Sequence, residues 1–153
     1  MKGKEYYDYK EKKIQYEGEF KEGKKNGKGK EYSLKGNLLY EGEYLNNKKN
    51  GKGKEYHNGE LIFEGEYLND ERWNGKGKEY DFGYDELMFE GEYLNGKWWN
   101  GKGKEYDYYH DEKEYIFEGE YKNGKRWNGK GKERKNKDEL IFEGEYVNGE
   151  KKN

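Results

Sequence analysis

The chain has 153 residues, and its 43% charged and 29% hydrophobic content would favour disorder, but 18 Tyr, 6 Phe and 4 Trp argue for a packed fold. Its 32 basic and 34 acidic residues leave a net charge of −2, which argues against a surface that wraps nucleic acid. The absence of cysteine excludes disulfides and thiolate metal sites, and apolar runs such as Leu61-Ile62-Phe63 are too short for an export signal or a membrane span, so we expect a soluble cytoplasmic protein.

Two short blocks recur along the chain and define its organisation. The first, Phe-Glu-Gly-Glu-Tyr or a close relative, begins at Tyr16, Tyr40, Phe63, Phe89, Phe117 and Phe142. The second, Asn-Gly-Lys-Gly-Lys-Glu-Tyr or a close relative, begins at Asn26, Asn50, Asn74, Asn100 and Asn128. We predict one repeat domain over residues 1–153, with a half repeat at 1–15, repeats at 16–39, 40–62, 63–88, 89–116 and 117–141, and a half repeat at 142–153.

Each block has the alternation of a β-strand. From Leu61 to Leu68, every second residue falls on one face, which carries Leu61, Phe63, Gly65 and Tyr67. This period of two fits an extended chain and no helical stripe. The segment between the two blocks, Asn69 to Trp73, is rich in turn residues, so each repeat is predicted to be a β-hairpin. The predicted fold is all-β, a tandem array of antiparallel hairpins.

The charges predict a register for these hairpins. If Gly65 lies opposite Gly77, Glu64 faces Lys78 on the side away from the rings. The same spacing gives three more opposite-charge pairs: Glu66 with Lys76, Glu17 with Lys30, and Glu19 with Lys28. Because such exposed pairs contribute little stability, we assign them register and solubility.

Stability must come from stacking of the hairpins, since an isolated hairpin is marginal in water. The glycines suggest how neighbouring repeats cohere. Without a side chain at Gly65 or Gly77, a ring from an adjacent strand or repeat can lie flat on the backbone. An alanine at either position is expected to lift that ring away.

The segment Tyr40-Glu41-Gly42-Glu43-Tyr44, followed by Gly51-Lys52-Gly53-Lys54-Glu55-Tyr56, resembles the MORN (membrane occupation and recognition nexus) repeat. The resemblance extends over nearly the whole chain. It implies an elongated, twisted antiparallel sheet with an aromatic-lined groove, and roles in protein contact, dimerisation and scaffolding, with lipid binding in some members. The tyrosines that close the first block are then candidate partner contacts: Tyr44, Tyr67, Tyr93 and Tyr121.

The tryptophans form the second candidate contact. Trp73, Trp98, Trp99 and Trp127 are predicted to lie in the turns of the middle hairpins, beside Asn-Gly. They could form a linear strip for a partner along one edge of the sheet, since Trp favours interfaces. They could equally fold back over the hairpin ends and extend the core. The sequence leaves both interpretations open.

No catalytic, cofactor or metal site is expected, and the chain is predicted not to be an enzyme. Glutamate pairs such as Glu64 and Glu66 recur in every repeat, whereas catalytic sites are normally singular. His57 and His110 lie far apart in linkers without a ligand pattern. The Gly-Lys-Gly-Lys segments lack the Ser or Thr and the helix of a phosphate loop.

The leading function is therefore a scaffold for protein partners. Binding of lipid headgroups is an alternative that the balanced charge disfavours, and carbohydrate binding is a further alternative. The termini suggest one more hypothesis, in which the C-terminal half repeat of one copy pairs with the N-terminal strand of another as a homo-oligomer. Terminal repeats more often act as capping strands, and this is the preferred interpretation of both ends.

Overall fold

The computed structural model describes residues 1–83 and 85–153. These residues form thirteen β-strands and no helix. The strands are β1 (Lys2–Asp8), β2 (Lys13–Lys21), β3 (Lys24–Tyr32), β4 (Leu38–Leu45), β5 (Lys48–His57), β6 (Glu60–Leu68), β7 (Glu71–Asp81), β8 (Glu86–Leu94), β9 (Lys97–Tyr109), β10 (Glu112–Lys122), β11 (Lys125–Asn136), β12 (Glu139–Val147) and β13 (Glu150–Lys152). No helix able to cross a membrane is found among the described residues.

The strands follow one another through the sheet in the order of the sequence. The prediction of an all-β array of antiparallel hairpins is confirmed. Close contacts divide the chain into two compact units, Met1–Lys76 and Gly77–Asn153. The repeat boundaries proposed from the sequence stay a prediction.

Two-residue turns connect most of the strands. At the turn between β8 and β9, Asn95 has φ 51° and Gly96 has φ 79°, so both residues are left-handed. Such turns match the twist of the flanking strands, and Asn and Gly tolerate this conformation best. The same form recurs at Asn46–Asn47, Asn58–Gly59, Asn69–Asp70, Asn123–Gly124 and Asn148–Gly149.

The first two complete hairpins have the predicted glycine register. Gly18 lies opposite Gly29 with Glu17 opposite Lys30, and β4 and β5 pair in the same way. The predicted pairing of Glu19 with Lys28 is wrong, because a bulge follows Gly18. Within this bulge the Glu19 carboxylate accepts a hydrogen bond from the backbone N–H of Lys28 at 2.8 Å.

The later hairpins use a different register. Gly91 lies opposite Gly101 in the β8–β9 pair. At Gly65 an added methyl group would lie 2.6 Å from Cα of Gly75, so Gly65 also meets the nearer glycine. The predicted register with Gly65 opposite Gly77, which put Glu64 opposite Lys78 and Glu66 opposite Lys76, is therefore wrong. The later hairpins have one extra residue before Asn-Gly. When the nearer glycine of the second block pairs with the glycine of the first block, this extra residue forms a single-residue bulge.

Consecutive hairpins pair with each other through the charge pattern that the sequence predicted within a hairpin. Between β3 and β4, Gly29 lies opposite Gly42 with Lys30 opposite Glu41 and Lys28 opposite Glu43. Equivalent pairs join β1 to β2, β5 to β6, β9 to β10 and β11 to β12. Opposite charges directly across a strand pair fix this register, since a slip would bring lysines onto the ring face.

Aromatic rings form the core of each unit. The most deeply buried side chains are Tyr16, Tyr40, Phe63, Phe89 and Phe117. In the first unit Tyr16, Tyr44, Tyr40 and Tyr67 follow one another edge to face, with centroids 5.1 to 5.3 Å apart. In the second unit Phe117 makes the same contact with Tyr121 and Tyr146. Edge-to-face geometry places the positive ring edge against a negative face and adds to the stability from burial.

Glycines give several of these rings their space. A methyl group on Gly29 would lie 2.5 Å from Cζ of Tyr16, and one on Gly53 would lie 2.5 Å from Cε2 of Tyr40. Rings do lie against bare backbone at these positions. At Gly65 the atoms nearest to an added methyl group would be those of the Asn74 and Gly75 backbone, and the expectation that a ring lies there stays a prediction.

Candidate functional site

A cation lies over the core ring in most repeats. Lys25 Nζ is 4.8 Å from the centroid of Tyr16, and Arg72 Cζ is 4.7 Å from that of Phe63. Each of these residues is the second after a hairpin turn, on the ring face. We call this position the capping position; Lys25, Lys49, Arg72, Arg126 and Lys151 occupy it with a cation over a ring. The attraction between the cation and the ring face holds the cation over the core ring, which it covers.

A glutamate of the preceding repeat receives the capping cation. Arg126 donates two hydrogen bonds to Glu105, at 2.8 and 2.9 Å, and the Tyr121 hydroxyl donates to the same carboxylate at 2.5 Å. Burial raises the pKa of Glu105, but Arg126 and Tyr121 more than offset it, and the net pKa lies below its ordinary value. This cluster joins two consecutive repeats through charge-assisted hydrogen bonds.

The four candidate tyrosines belong to the same clusters. Tyr44, Tyr67, Tyr93 and Tyr121 are buried, with 3 to 8% of their surface exposed. Their hydroxyls donate to Glu31, Glu55, Glu79 and Glu105, respectively. These tyrosines pack beneath the protein surface, and their exposed area is too small for much direct contact with a partner. Their predicted role in partner binding stays a prediction.

Trp98 occupies the capping position of the fourth repeat. Its ring stacks on Phe89 with centroids 4.7 Å apart and planes 8° apart, and it meets Tyr121 edge to face at 5.4 Å. Its indole N–H donates to Glu79 at 3.4 Å. Trp98 is thus part of the aromatic core, in the place where other repeats have lysine or arginine.

Trp99 and Trp127 are the bulged residues of their hairpins. The β8–β9 register steps from Glu92 opposite Asn100 to Tyr93 opposite Trp98, leaving Trp99 unpaired. The Trp99 ring lies against the next turn, 3.1 Å from where a methyl on Gly124 would be, and the Trp99 carbonyl accepts the Gly124 N–H at 2.9 Å.

The following hairpin repeats this arrangement. Trp127 lies against Gly149, its carbonyl accepts the Gly149 N–H at 2.9 Å, and Lys122 Nζ lies 4.9 Å from its ring centroid. Both tryptophans are partly exposed. They form the hairpin edge of the second unit, defined here as Trp99, Trp127 and the turns at Gly124 and Gly149.

The prediction that the tryptophans lie in the turns is wrong. Trp73 lies in β7, Trp98 and Trp99 in β9, and Trp127 in β11. The turn is complete in two residues, so the residues after it already belong to a strand. Aligning the repeats from their turns would have shown Trp98 beside Arg72 and Arg126, which is the signal that reveals the capping position.

Neither histidine lies in a cluster that could perform chemistry. His110 Nε2 lies 3.0 Å from Asp138 at an exposed connection, and His57 lies near Asn58 at another. Over the described part of the chain, no group of three His, Cys, Asp or Glu side chains could hold a metal ion. Every buried side-chain nitrogen or oxygen in that part has a hydrogen-bond partner.

Comparison with known families identifies these hairpins. A family model described as the MORN repeat matches residues 16–37, 40–60 and 117–137. The chain carries MORN repeats at these three positions. The matches coincide with the hairpins β2–β3, β4–β5 and β10–β11. MORN repeats are modules for contact with proteins or membranes and are generally not catalytic. No curated protein matches the chain.

Proposed function

We propose that this MORN array is a non-catalytic scaffold that binds a protein partner through the hairpin edge of the second unit. The carrying observation is that consecutive hairpins present the same partly exposed element, a bulged tryptophan that lies against the glycine of the next turn. Tryptophan at the centre of an interface contributes more binding energy than most residues. A repeated element of this kind lets one partner engage two hairpins at once.

The buried tyrosine clusters support this role. Tyr121, Arg126 and Glu105 fix the strand that carries Trp127. A contact surface held by a packed, hydrogen-bonded layer loses little conformational freedom on binding, which favours affinity. The aromatic layer is therefore the support of the surface in this proposal, and the hairpin edge is the contact.

The test is a double substitution, Trp99→Ala with Trp127→Ala. The parent protein is used to isolate a partner from lysate of its native host, and the affinity of that purified partner is then measured. We expect the double variant to lose at least ten-fold in affinity, because the two anchors removed together contribute about 1.4 kcal/mol or more in total. Circular dichroism and a urea midpoint check that the variant is folded.

The matched control is Tyr9→Ala, which removes an exposed ring, 74% accessible, from the first unit. It should bind the partner as the parent does. Unchanged affinity of the tryptophan variant would show that the hairpin edge is not the contact. Capture of anionic lipid vesicles by the parent, lost in the tryptophan variant, would assign this edge to membranes instead.

A further inference from the structure

Side chains on the face opposite the rings form two rows of alternating charge across the first unit. Direct cross-strand partners make up the first row: Lys4, Glu17, Lys30, Glu41, Lys54 and Glu64. The second row lies two residues away on each strand: Lys2, Glu19, Lys28, Glu43, Lys52 and Glu66. Each strand from β1 to β6 therefore presents two charges of one sign, and the sign reverses at every strand.

The two rows border an open groove. One part of it, ≈ 680 Å³ in volume, runs over the backbone of Gly18, Gly29 and Gly42. A second part of ≈ 770 Å³ continues over Gly53 and Gly65. Both parts are lined by Lys28, Glu41 and Lys52, so the groove is continuous across the strands. Its floor is bare backbone, which allows a bound segment to approach closely.

The charges of the first row are free to exchange partners, whereas Glu19 and Glu43 of the second row accept hydrogen bonds from the backbone N–H groups of Lys28 and Lys52. Lys30 and Glu41 are 3.9 Å apart with side chains 49 and 48% exposed, and Lys54 and Glu64 are 3.8 Å apart with 48 and 60% exposed. Exposed ion pairs of this kind contribute little to stability. The tight pairs lie on the other face, as between Arg72 and Glu55 at 2.6 Å. A bound molecule can therefore recruit the groove charges without weakening the core.

The distance between strands of opposite charge favours one kind of ligand. Neighbouring strands lie about 4.8 Å apart. An α-helix laid across them presents a new residue to the groove about every 5.4 Å, so after three strands it is out of phase by only about 2 Å, which long side chains can span. An extended segment presents one about every 6.8 Å and after three strands is out of phase by about 6 Å, where it meets the wrong sign.

Ligands of uniform charge do not fit this surface. Inside the sheet each pair of lysines is flanked by a pair of glutamates on either side, as Lys28 and Lys30 are by Glu17 and Glu19 on β2 and by Glu41 and Glu43 on β4. A phosphate backbone or an anionic membrane would meet as many repulsive as attractive side chains. The alternation instead suits a partner that alternates in the same way, which is a matter of complementarity rather than of net charge.

We propose that the groove of the first unit binds an α-helix of a partner protein whose groove-facing residues alternate between acidic and basic from one turn to the next. The inference is independent of the hairpin edge, since it rests on other residues and another unit. A helix of four to five turns, about 16 residues, would span the six strands.

The direct test uses two synthetic helical peptides of identical composition, each held helical by a covalent staple on the side away from its charges. One alternates acidic and basic residues turn by turn, and the other groups them into an acidic half and a basic half. We expect the alternating peptide to bind at least ten-fold more tightly at low salt and to shift the amide resonances of Gly18, Gly29 and Gly42. Equal affinity, or no binding of either peptide, would overturn the proposal.

A charge exchange in the protein tests the register of the contact. Lys30→Glu with Glu41→Lys keeps the net charge but breaks the alternation, and should reduce the affinity at least ten-fold. A peptide with its two matching charges exchanged should recover it. Lys135→Glu with Glu139→Lys, an exposed pair outside the groove, is the matched control. If the first exchange unfolds the protein, Lys30→Gln with Glu41→Gln replaces it, with the same loss expected.

The same assay tests other ligands of the groove. A uniformly acidic peptide and vesicles of anionic lipid should leave the groove resonances unshifted. Binding of either with the same resonance shifts as the alternating helix would refute a helix-specific groove. Because these measurements use synthetic peptides, their outcome does not depend on whether the tryptophan variant loses its partner.

Discussion

Trp98 replaces, at the capping position, a cation that in other repeats forms an ion pair. In other repeats the capping position holds a cation that contacts both a ring and a glutamate, as Arg126 contacts Phe117 and Glu105. Trp98 makes both contacts with a neutral ring, by stacking on Phe89 and by donating its indole N–H to Glu79. The two solutions serve the same position, so they should be exchangeable.

Substitutions at Trp98 test this equivalence. Trp98→Ala should lower the free energy of unfolding by about 3 kcal/mol, because it leaves a cavity over Phe89. Trp98→Arg should cost less than about 1.5 kcal/mol, because its guanidinium can lie over the same ring and bond to Glu79. Urea denaturation of both variants makes the comparison. Equal losses would show that the fourth repeat requires the indole itself.

The glycine under Tyr16 provides a second residue-scale prediction. Gly29→Ala should lower the free energy of unfolding by about 2 kcal/mol, since the added methyl would overlap a fully buried ring whose hydroxyl donates to the Glu19 carbonyl. Gly83→Ala is the control, because its nearest neighbour would be 3.4 Å away, and it should change stability by less than about 0.5 kcal/mol. Similar urea midpoints for the two variants would contradict the role of Gly29.

The hairpins are of two kinds, which differ by the presence or absence of one residue before Asn-Gly. Where a tryptophan precedes Asn-Gly, as at Trp99, the nearer glycines pair, and where it is missing the farther ones do, as in Gly42 opposite Gly53. Deletion of Trp99 should therefore convert the β8–β9 hairpin to the register of the first two. We expect nuclear Overhauser contacts between the Hα atoms of Gly91 and Gly103 to replace those between Gly91 and Gly101. Retention of the parental contacts would show that something other than the bulge fixes the register.

The hairpins themselves were predictable from the sequence, and so was the glycine register of the short ones, but not the bulge that follows Gly18. Period-two alternation and the spacing of Gly18 and Gly29 were sufficient for these. The long hairpins offered two glycine–glycine registers, and charge pairing alone favoured the wrong one, since it ignores the bulge that Trp99 forms. The candidate tyrosines could be found as repeated positions, but their burial depends on packing between repeats, which spacing does not report.

At the scale of the whole molecule, the buried tyrosines make stability sensitive to high pH. Burial raises the pKa of Tyr16 to about 12, with the nearby Glu19 adding to the shift, and burial also raises the pKa values of Tyr44 and Tyr121. An acid whose pKa is higher in the folded state stabilises the fold fully below its unfolded pKa of about 10, and this contribution is lost as the pH rises above it.

We therefore expect unfolding to begin above about pH 10, with phenolate absorbance and loss of circular dichroism rising together. Tyr16→Phe, which places in the first complete hairpin the residue that Phe63 supplies in a later one, should delay the alkaline transition. Titration of all tyrosines near pH 10 with the structure intact would contradict this expectation.

The order of the strands has a consequence for how the protein is made. Each strand from β2 to β12 is hydrogen-bonded to the strands that come immediately before and after it in the chain. Contacts between near neighbours in sequence form quickly, because only short loops must close. A nascent chain leaving the ribosome need not await any distant segment, and can add one hairpin after another to the growing sheet while translation continues.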